Sequence, residues 1–159
     1  MVIITEKKMR DKRFITEHRG GSLTREQHRQ LIIWAGDCAE HIMLACNEIS
    51  DRRLANALLL AREWAKGNAT VGEARKAAME AIAVANDSSN PALKAVARSV
   101  GHAVATAHMA DHSLKAAEYA LKTARLAGCS TDAERKWQDE HLGRGIIELV
   151  HTAVNKQAE

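Results

Sequence analysis

Aromatic side chains and proline are scarce in this sequence. Its 159 residues include three Trp, one Tyr, one Phe and a single Pro, although hydrophobic residues as a class make up 46%. That hydrophobic fraction argues against a disordered chain, and the length suits one domain. Alanine is abundant, and alanine-rich helices can approach closely, so we expect tight helix–helix contacts.

Long apolar runs and a cleavable leader pattern are also missing. No apolar stretch approaches the roughly 18–20 residues that cross a bilayer, and the apolar stretch in residues 1–5 is too short for a signal peptide. We therefore expect a cytoplasmic protein without a membrane partner. The three cysteines have no CxxC spacing, and an odd number predicts reduced thiols, with Cys38 and Cys46 in the core.

The motifs that hold cofactors or activate nucleophiles are absent. The sequence contains neither phosphate-binding glycine pattern, GxxxxGK[ST] or GxGxxG, and no GxSxG elbow. No cysteine lies in a recognisable catalytic setting, and strands are not indicated. These absences predict a protein that is not an enzyme, with no catalytic residues, no cofactor and no metal.

The excess of positive charge is local. The net charge is +3, and residues 1–19 account for it, with six Lys or Arg against three acids, whereas the other 17 basic and 17 acidic residues cancel. Such an arm can bind nucleic acid or can be a solvated chain end. Because no stacking aromatics are interleaved there, we favour the solvated end and predict no direct nucleic-acid binding.

Helix-start signals recur along the chain. Thr24, Thr70 and Thr131 are each followed three residues later by Gln or Glu, which is the capping-box pattern, and Asn90 precedes Pro91 as a cap precedes the first helical turn. These signals predict an all-α protein, a single compact bundle of about six helices arranged as antiparallel hairpins. We expect one domain over 1–159, with 1–21 a basic, irregular arm, and helices over about 24–49, 52–66, 70–86, 91–110, 111–127 and 132–155.

Several ionisable residues fall inside the predicted helices. Asp37 and His41 are four residues apart and can meet, and the fourth predicted helix, apolar nearly all round, reads as a central one. It carries His102 and His108 and is followed by Asp111 and His112. One interpretation is an acid/base or metal site, since His108 and His112 would share a face if the helix continued. We favour a buried polar network that fastens helices together, consisting of Asp37, His41, His102, His108, Asp111 and His112.

Other residues suit a contact surface. Arg and Trp are enriched in interface hot spots, and both occur on the predicted second and sixth helices. We predict partner-binding residues at Arg52, Arg53, Arg62, Trp137 and Arg144.

Five short blocks resemble a known family. They are RGGSLT at 19–24, WAGDCAEH at 34–41, AREWAKG at 61–67, TVGEARKAA at 70–78 and GHAVATAH at 101–108. In this order they are similar to an all-α family of immunity proteins, family five and its relatives, from bacterial polymorphic toxin and contact-dependent growth inhibition systems, over roughly 10–150. The resemblance implies a cytoplasmic protein that binds a cognate toxin domain, often a nuclease, and blocks it. It brings no catalytic residues.

Two alternatives to a toxin inhibitor remain open at this point. The first is a His/carboxylate metal-binding protein or enzyme that uses Asp37, His41, His108, Asp111 and His112. The second is a helical scaffold that self-associates, since the sequence does not define the oligomeric state. The slightly basic balance of the chain is unusual for a nuclease inhibitor, and it favours a complex that depends on local patches over net charge.

Overall fold

The prediction of an all-α protein is confirmed. The structure, a computed structural model, describes residues 10–46 and 51–158, and it contains seven α-helices in those ranges. The predicted end of the first helix at 49 and residues 1–9 of the predicted arm lie outside the described residues. The helices are α1 (Arg25–Cys46), α2 (Arg52–Ala65), α3 (Val71–Asp87), α4 (Pro91–Ala105), α5 (His112–Leu126), α6 (Thr131–Glu140) and α7 (Ile147–Ala158).

Helix α4 is the centre of the bundle, as its apolar composition predicted. It packs against α1, α2, α3 and α5, and Val96, Val100 and Val104 are fully buried. Gly101 lets α3 approach, because a Cβ at this position would be 2.9 Å from Cδ1 of Ile82 and 3.6 Å from the carbonyl oxygen of Ala78. This is one of the tight helix–helix contacts that the alanine-rich composition predicted.

Most of the predicted helix starts are confirmed, and one is wrong. Thr24 with Gln27 and Thr70 with Glu73 form reciprocal capping boxes. The side chain of Asn90 accepts hydrogen bonds from the first turn of α4. Helix α6, however, is capped by the hydroxyl of Ser130, and Thr131 is already its first residue. The cap thus lies one residue earlier than predicted. Glu134 therefore does not take part in a capping box, and its side chain is free to turn toward α1.

Thr70 and Thr131 provide a matched test of these helix starts. We expect Thr70→Ala to lower the free energy of unfolding by about 1 kcal/mol, because the hydroxyl accepts the Glu73 amide proton. Thr131→Ala should change it by less than about 0.5 kcal/mol, since Thr131 is not the cap. Urea denaturation of both variants measures the difference, and equal losses would contradict the start of α6 at Thr131.

The predicted helix over 132–155 is interrupted. Helix α6 ends at Glu140 and α7 begins at Ile147. Gly143 and Gly145 lie in the break, where glycine costs a helix roughly 1 kcal/mol relative to alanine. A Cβ on Gly143 or Gly145 would come within 2.8 or 2.9 Å of Oε1 of Gln30 on α1. The two glycines thus allow the chain to pass over α1 and to bury Leu142 and Ile146.

The segment before α1 packs on the bundle. Of the predicted arm, residues 10–21 contain two short 3₁₀ turns, Lys12–Phe14 and Glu17–Arg19. The backbone then turns back at Gly20, in the left-handed region with φ 88°, and the Leu23 amide donates to the carbonyl of Ile15. The Phe14 side chain is 1% exposed and belongs to the main core.

The cysteine prediction is wrong for two of the three residues. Cys46 at the end of α1 and Cys129 after α5 form a disulfide, with their Cα atoms 6.3 Å apart. The prediction failed because a pairing across 83 residues leaves no local spacing signal. Cys38 is a free, buried thiol, and burial raises its pKa well above the usual value. Within the described ranges, no helix combines the length and the apolarity that a membrane span requires.

Candidate functional site

The predicted contact residues do not all lie at one place on the bundle. Arg52 and Arg53 are exposed at the start of α2, and Arg53 contacts Asp51 and Asp87 at 3.4 and 3.6 Å. Arg62, on α2, forms ion pairs with α1, and Trp137 is on α6. Arg144 is exposed in the break between α6 and α7. Their role in partner binding stays a prediction.

Arg62 connects α2 to α1. Its guanidinium donates to Oε2 of Glu40 at 2.8 Å and to Oδ1 of Asp37 at 3.4 Å. These two carboxylates, the Glu40 hydrogen bond foremost, raise the pKa of Arg62. Asp37 therefore does not meet His41, and the expectation that these neighbours pair within α1 is wrong. Each of them finds its partner on another helix.

Three rings form a stack where α1 meets α6. His41 and Trp137 lie with ring centroids 3.8 Å apart and planes 8° from parallel, and His141 stacks on Trp137 at 3.9 Å and 18°. We call His41, Trp137 and His141 the ring stack. Arg62 contacts Asp37 and Glu40, and His41 follows Glu40 in the same turn of α1. The Arg62 ion pairs and the ring stack are therefore neighbours on the surface.

Buried polar groups hold the ring stack in place. Nδ1 of His41 is 2.9 Å from Oε2 of Glu134, a side chain only 5% exposed. The indole nitrogen of Trp34 donates to the carbonyl of Gln138 at 2.9 Å, and the Gln138 side chain donates to the carbonyl of Ala117 on α5 at 3.0 Å. Glu134 and Gln138 are not among the predicted site residues. The spacing of Glu134 from Thr131 predicts a capping box instead, and Gln138 has no sequence signal.

The remaining members of the predicted polar network meet around the end of α4. Nδ1 of His102 and Nδ1 of His112 are 2.8 Å apart, and the His108 ring lies 5.2 Å from the His112 ring. Asp111 instead accepts both hydrogen bonds of a forked contact from Arg10, at 3.2 and 3.3 Å. The helix break that was expected at Asp111 is present, so His108 and His112 are not on one continuous helix.

Burial disfavours the charged form of these histidines. It lowers the pKa of His102 to about 4, with a further contribution from the nearby His112, and it lowers the pKa of His108 and His112 as well. In the ranges 10–46 and 51–158, no group of three or more His, Cys, Asp or Glu residues is placed so that it could hold a metal ion.

A cavity of about 350 Å³ opens beside this cluster. It lies between the segment before α1, the beginning of α1, the end of α2, the start of α3 and the connection between α4 and α5. Its apolar lining includes Phe14, Trp64 and Ala107. The acidic residue in the lining of this cavity is Glu17. The other ionisable side chains of the lining are those of Arg10, His18, Arg19, Arg25, His28 and His108. We therefore call it the basic cavity.

Comparison with known proteins identifies a family. A family model described as "Imm-5 like putative immunity protein" matches residues 21–144. No curated protein and no solved structure matches the chain. The matched range contains the ring stack and Arg62, whereas the part of the basic cavity built by residues 10–19 precedes it.

Proposed function

This chain belongs to the Imm-5-like family of immunity proteins, and from that membership we propose that it binds a cognate bacterial toxin domain and neutralises it. The family match over 21–144 is the observation that carries the proposal. We propose further that neutralisation takes place in the cytoplasm, in a contact-dependent growth inhibition or related polymorphic toxin system. The chain acts in this proposal by binding, not by catalysis.

The surface formed by the ring stack and Arg62 supports such a role. Trp and Arg are the residue types that most often dominate binding energy at interfaces, and an ordered side chain loses less conformational entropy when a partner binds. Trp137 is held between two imidazoles at 3.8 and 3.9 Å, and Arg62 is held by Asp37 and Glu40. We propose this surface as the centre of the toxin contact, and its mixed charge agrees with a complex that depends on local patches.

The proposal is tested with the toxin domain that we expect the neighbouring reading frame to encode. Cells that express this domain alone should stop growing, and cells that also express the present chain should grow. The two proteins should co-purify in a fixed ratio. Growth arrest that is unchanged by the present chain would overturn the proposed neutralisation.

Single variants then test the contact surface. We expect His141→Ala, which removes one exposed ring of the stack, to weaken toxin binding by about fivefold, and Trp137→Ala to weaken it by more than about tenfold. Met79→Ala is the control, because Met79 is 72% exposed on α3 and outside this surface. Calorimetric titration measures the affinities, and urea denaturation checks that each variant is folded. Full affinity in Trp137→Ala would place the contact elsewhere.

A further inference from the structure

The positive charge of the basic cavity is not neutralised by its own lining. Three arginines face one acid, Glu17, and Arg10 is already engaged by Asp111. Among the residues that the structure describes, Arg19 and Arg25 have no ionic partner within 4.0 Å. Two guanidinium groups, each with five donors in a fixed fork, are thus available at the cavity.

Two buried polar atoms of the same lining also lack a partner in the described part of the chain. They are Oγ1 of Thr16 and Nδ1 of His108. A buried polar atom without a hydrogen bond costs roughly 1–3 kcal/mol, so such atoms are uncommon unless a bound group satisfies them. A hydroxyl and an imidazole N–H can both donate to an anionic oxygen.

The positive charge of the cavity affects the pKa of His28. Burial lowers the pKa of His28, the hydrogen bond to the Thr106 carbonyl opposes this effect, and the nearby His18, Arg10 and Arg19 lower the pKa further. Nε2 of His28 is 2.6 Å from the carbonyl oxygen of Thr106, which fixes the ring against Trp64 at a centroid distance of 4.7 Å. A group of opposite charge would be attracted to this cavity, and a second cation would be repelled.

We propose that the basic cavity is a binding site for an anionic oxygen group, a carboxylate or a phosphate, carried on a small body that packs against Phe14 and Trp64. Arg19 and Arg25 supply the charge, and Thr16 and His108 supply the further donors. A volume of about 350 Å³ is at the lower end of the range for small-ligand pockets. The group has two possible sources, a free small molecule or an acidic side chain of a partner protein.

Inorganic phosphate is the probe for the isolated protein. The Cε1–H NMR signals of His28 and His108 should shift in a saturable way as phosphate is added, with acetate as the carboxylate probe. We expect the double variant Arg19→Gln/Arg25→Gln to weaken phosphate binding by at least about tenfold, because charge-assisted hydrogen bonds are lost. The matched control is Lys76→Gln/Arg125→Gln, which removes two exposed positive charges outside this cavity and should bind phosphate as the unchanged protein does.

Thr16→Val separates a ligand role from a structural one. Removing a hydroxyl that has no partner should leave the urea midpoint unchanged or raised, yet phosphate binding should weaken several-fold. If phosphate causes no saturable shift up to about 50 mM, a concentration at which even a site of millimolar affinity is full, the proposal is overturned. Equal weakening in the matched control would also overturn it, since net charge alone would then explain the binding.

The source of the anion follows from the toxin assay with the same variants. If Arg19→Gln/Arg25→Gln loses phosphate binding and also protection against the toxin, the partner carries the anionic group. If it loses phosphate binding and keeps protection, the ligand is a free small molecule. The phosphate titration uses the isolated chain, so a failure of the unchanged protein to protect cells would refute the proposed toxin neutralisation without affecting the cavity result.

Discussion

Replacing Phe14 by alanine should lower the free energy of unfolding by about 3–4 kcal/mol. Phe14 precedes the first long helix, but its side chain is 1% exposed and joins the main hydrophobic core. The cost combines the lost transfer free energy of the ring with the space left behind, since the surrounding backbone relaxes only in part. Urea denaturation followed by circular dichroism measures this change.

Two further variants define what the Phe14 result means. Phe14→Leu retains most of the apolar volume and should cost about 1 kcal/mol, and Met79→Ala, at a side chain that is 72% exposed, should cost less than about 0.5 kcal/mol. A loss below about 1 kcal/mol for Phe14→Ala would show that the segment before α1 is a loosely attached arm, not part of the cooperative unit.

Acidification from pH 7 to pH 4.5 should destabilise the protein by about 2 kcal/mol through His102 alone, after discounting for its partial exposure. Its pKa is about 4 in the folded protein against 6.5 for the ordinary side chain. Between these values the unfolded chain binds a proton that the folded protein does not, so stability rises with pH there. The stability is fully present above about pH 6.5 and is lost as the pH falls toward 4. The lowered pKa values of His28, His108 and His112 act in the same direction.

The physical reason is first the burial of the His102 ring and then its short contact with His112. With their Nδ1 atoms 2.8 Å apart, His102 and His112 can share one hydrogen bond when both are neutral, but two protonated rings would repel each other. Lys115 and Arg98 also lower the pKa of His102, and Glu118 opposes them. Asp111 likewise opposes the lowering at His112.

Urea midpoints at pH 7, 6, 5 and 4.5 measure the acid effect. His102→Gln should flatten the dependence by about half, because it removes the group with the largest shift. Met79, which is 72% exposed and carries no ionisable group, provides the control variant Met79→Ala, which should leave the slope as it is. A stability that is constant from pH 7 to pH 5 would contradict the description of His102 as a residue buried in its neutral form.

Local signals predicted the helices well because they act over a few residues. The capping boxes at Thr24 and Thr70 and the Asn90 cap are present as predicted, since each needs only a side chain and the backbone three residues away. The same rule misplaced the start of α6 by one residue, because Ser130 and Thr131 are both acceptable caps and adjacent in sequence. It also overlooked the break at Gly143 and Gly145, where the apolar spacing continues through the interruption.

Partner choice between polar side chains could not be predicted in this way. Asp37 and His41 have the spacing of a helical pair, yet Asp37 contacts Arg62 on α2 and His41 contacts Glu134 on α6. A spacing rule describes which groups can meet within one helix, and it contains no information about a side chain on a neighbouring one.

The sequence by itself determined that this protein is an all-α bundle with a central fourth helix, and its short motifs identified the immunity family, because capping, hydrophobic periodicity and local blocks are properties of neighbouring residues. Only the tertiary structure decided that Phe14 is a core residue, that Glu134 is the partner of His41, and that a cavity rich in Arg and His forms beside the end of α4. These features join segments up to about a hundred residues apart, such as Arg10 and Asp111, and their energies depend on burial and charge that exist only once the helices have packed.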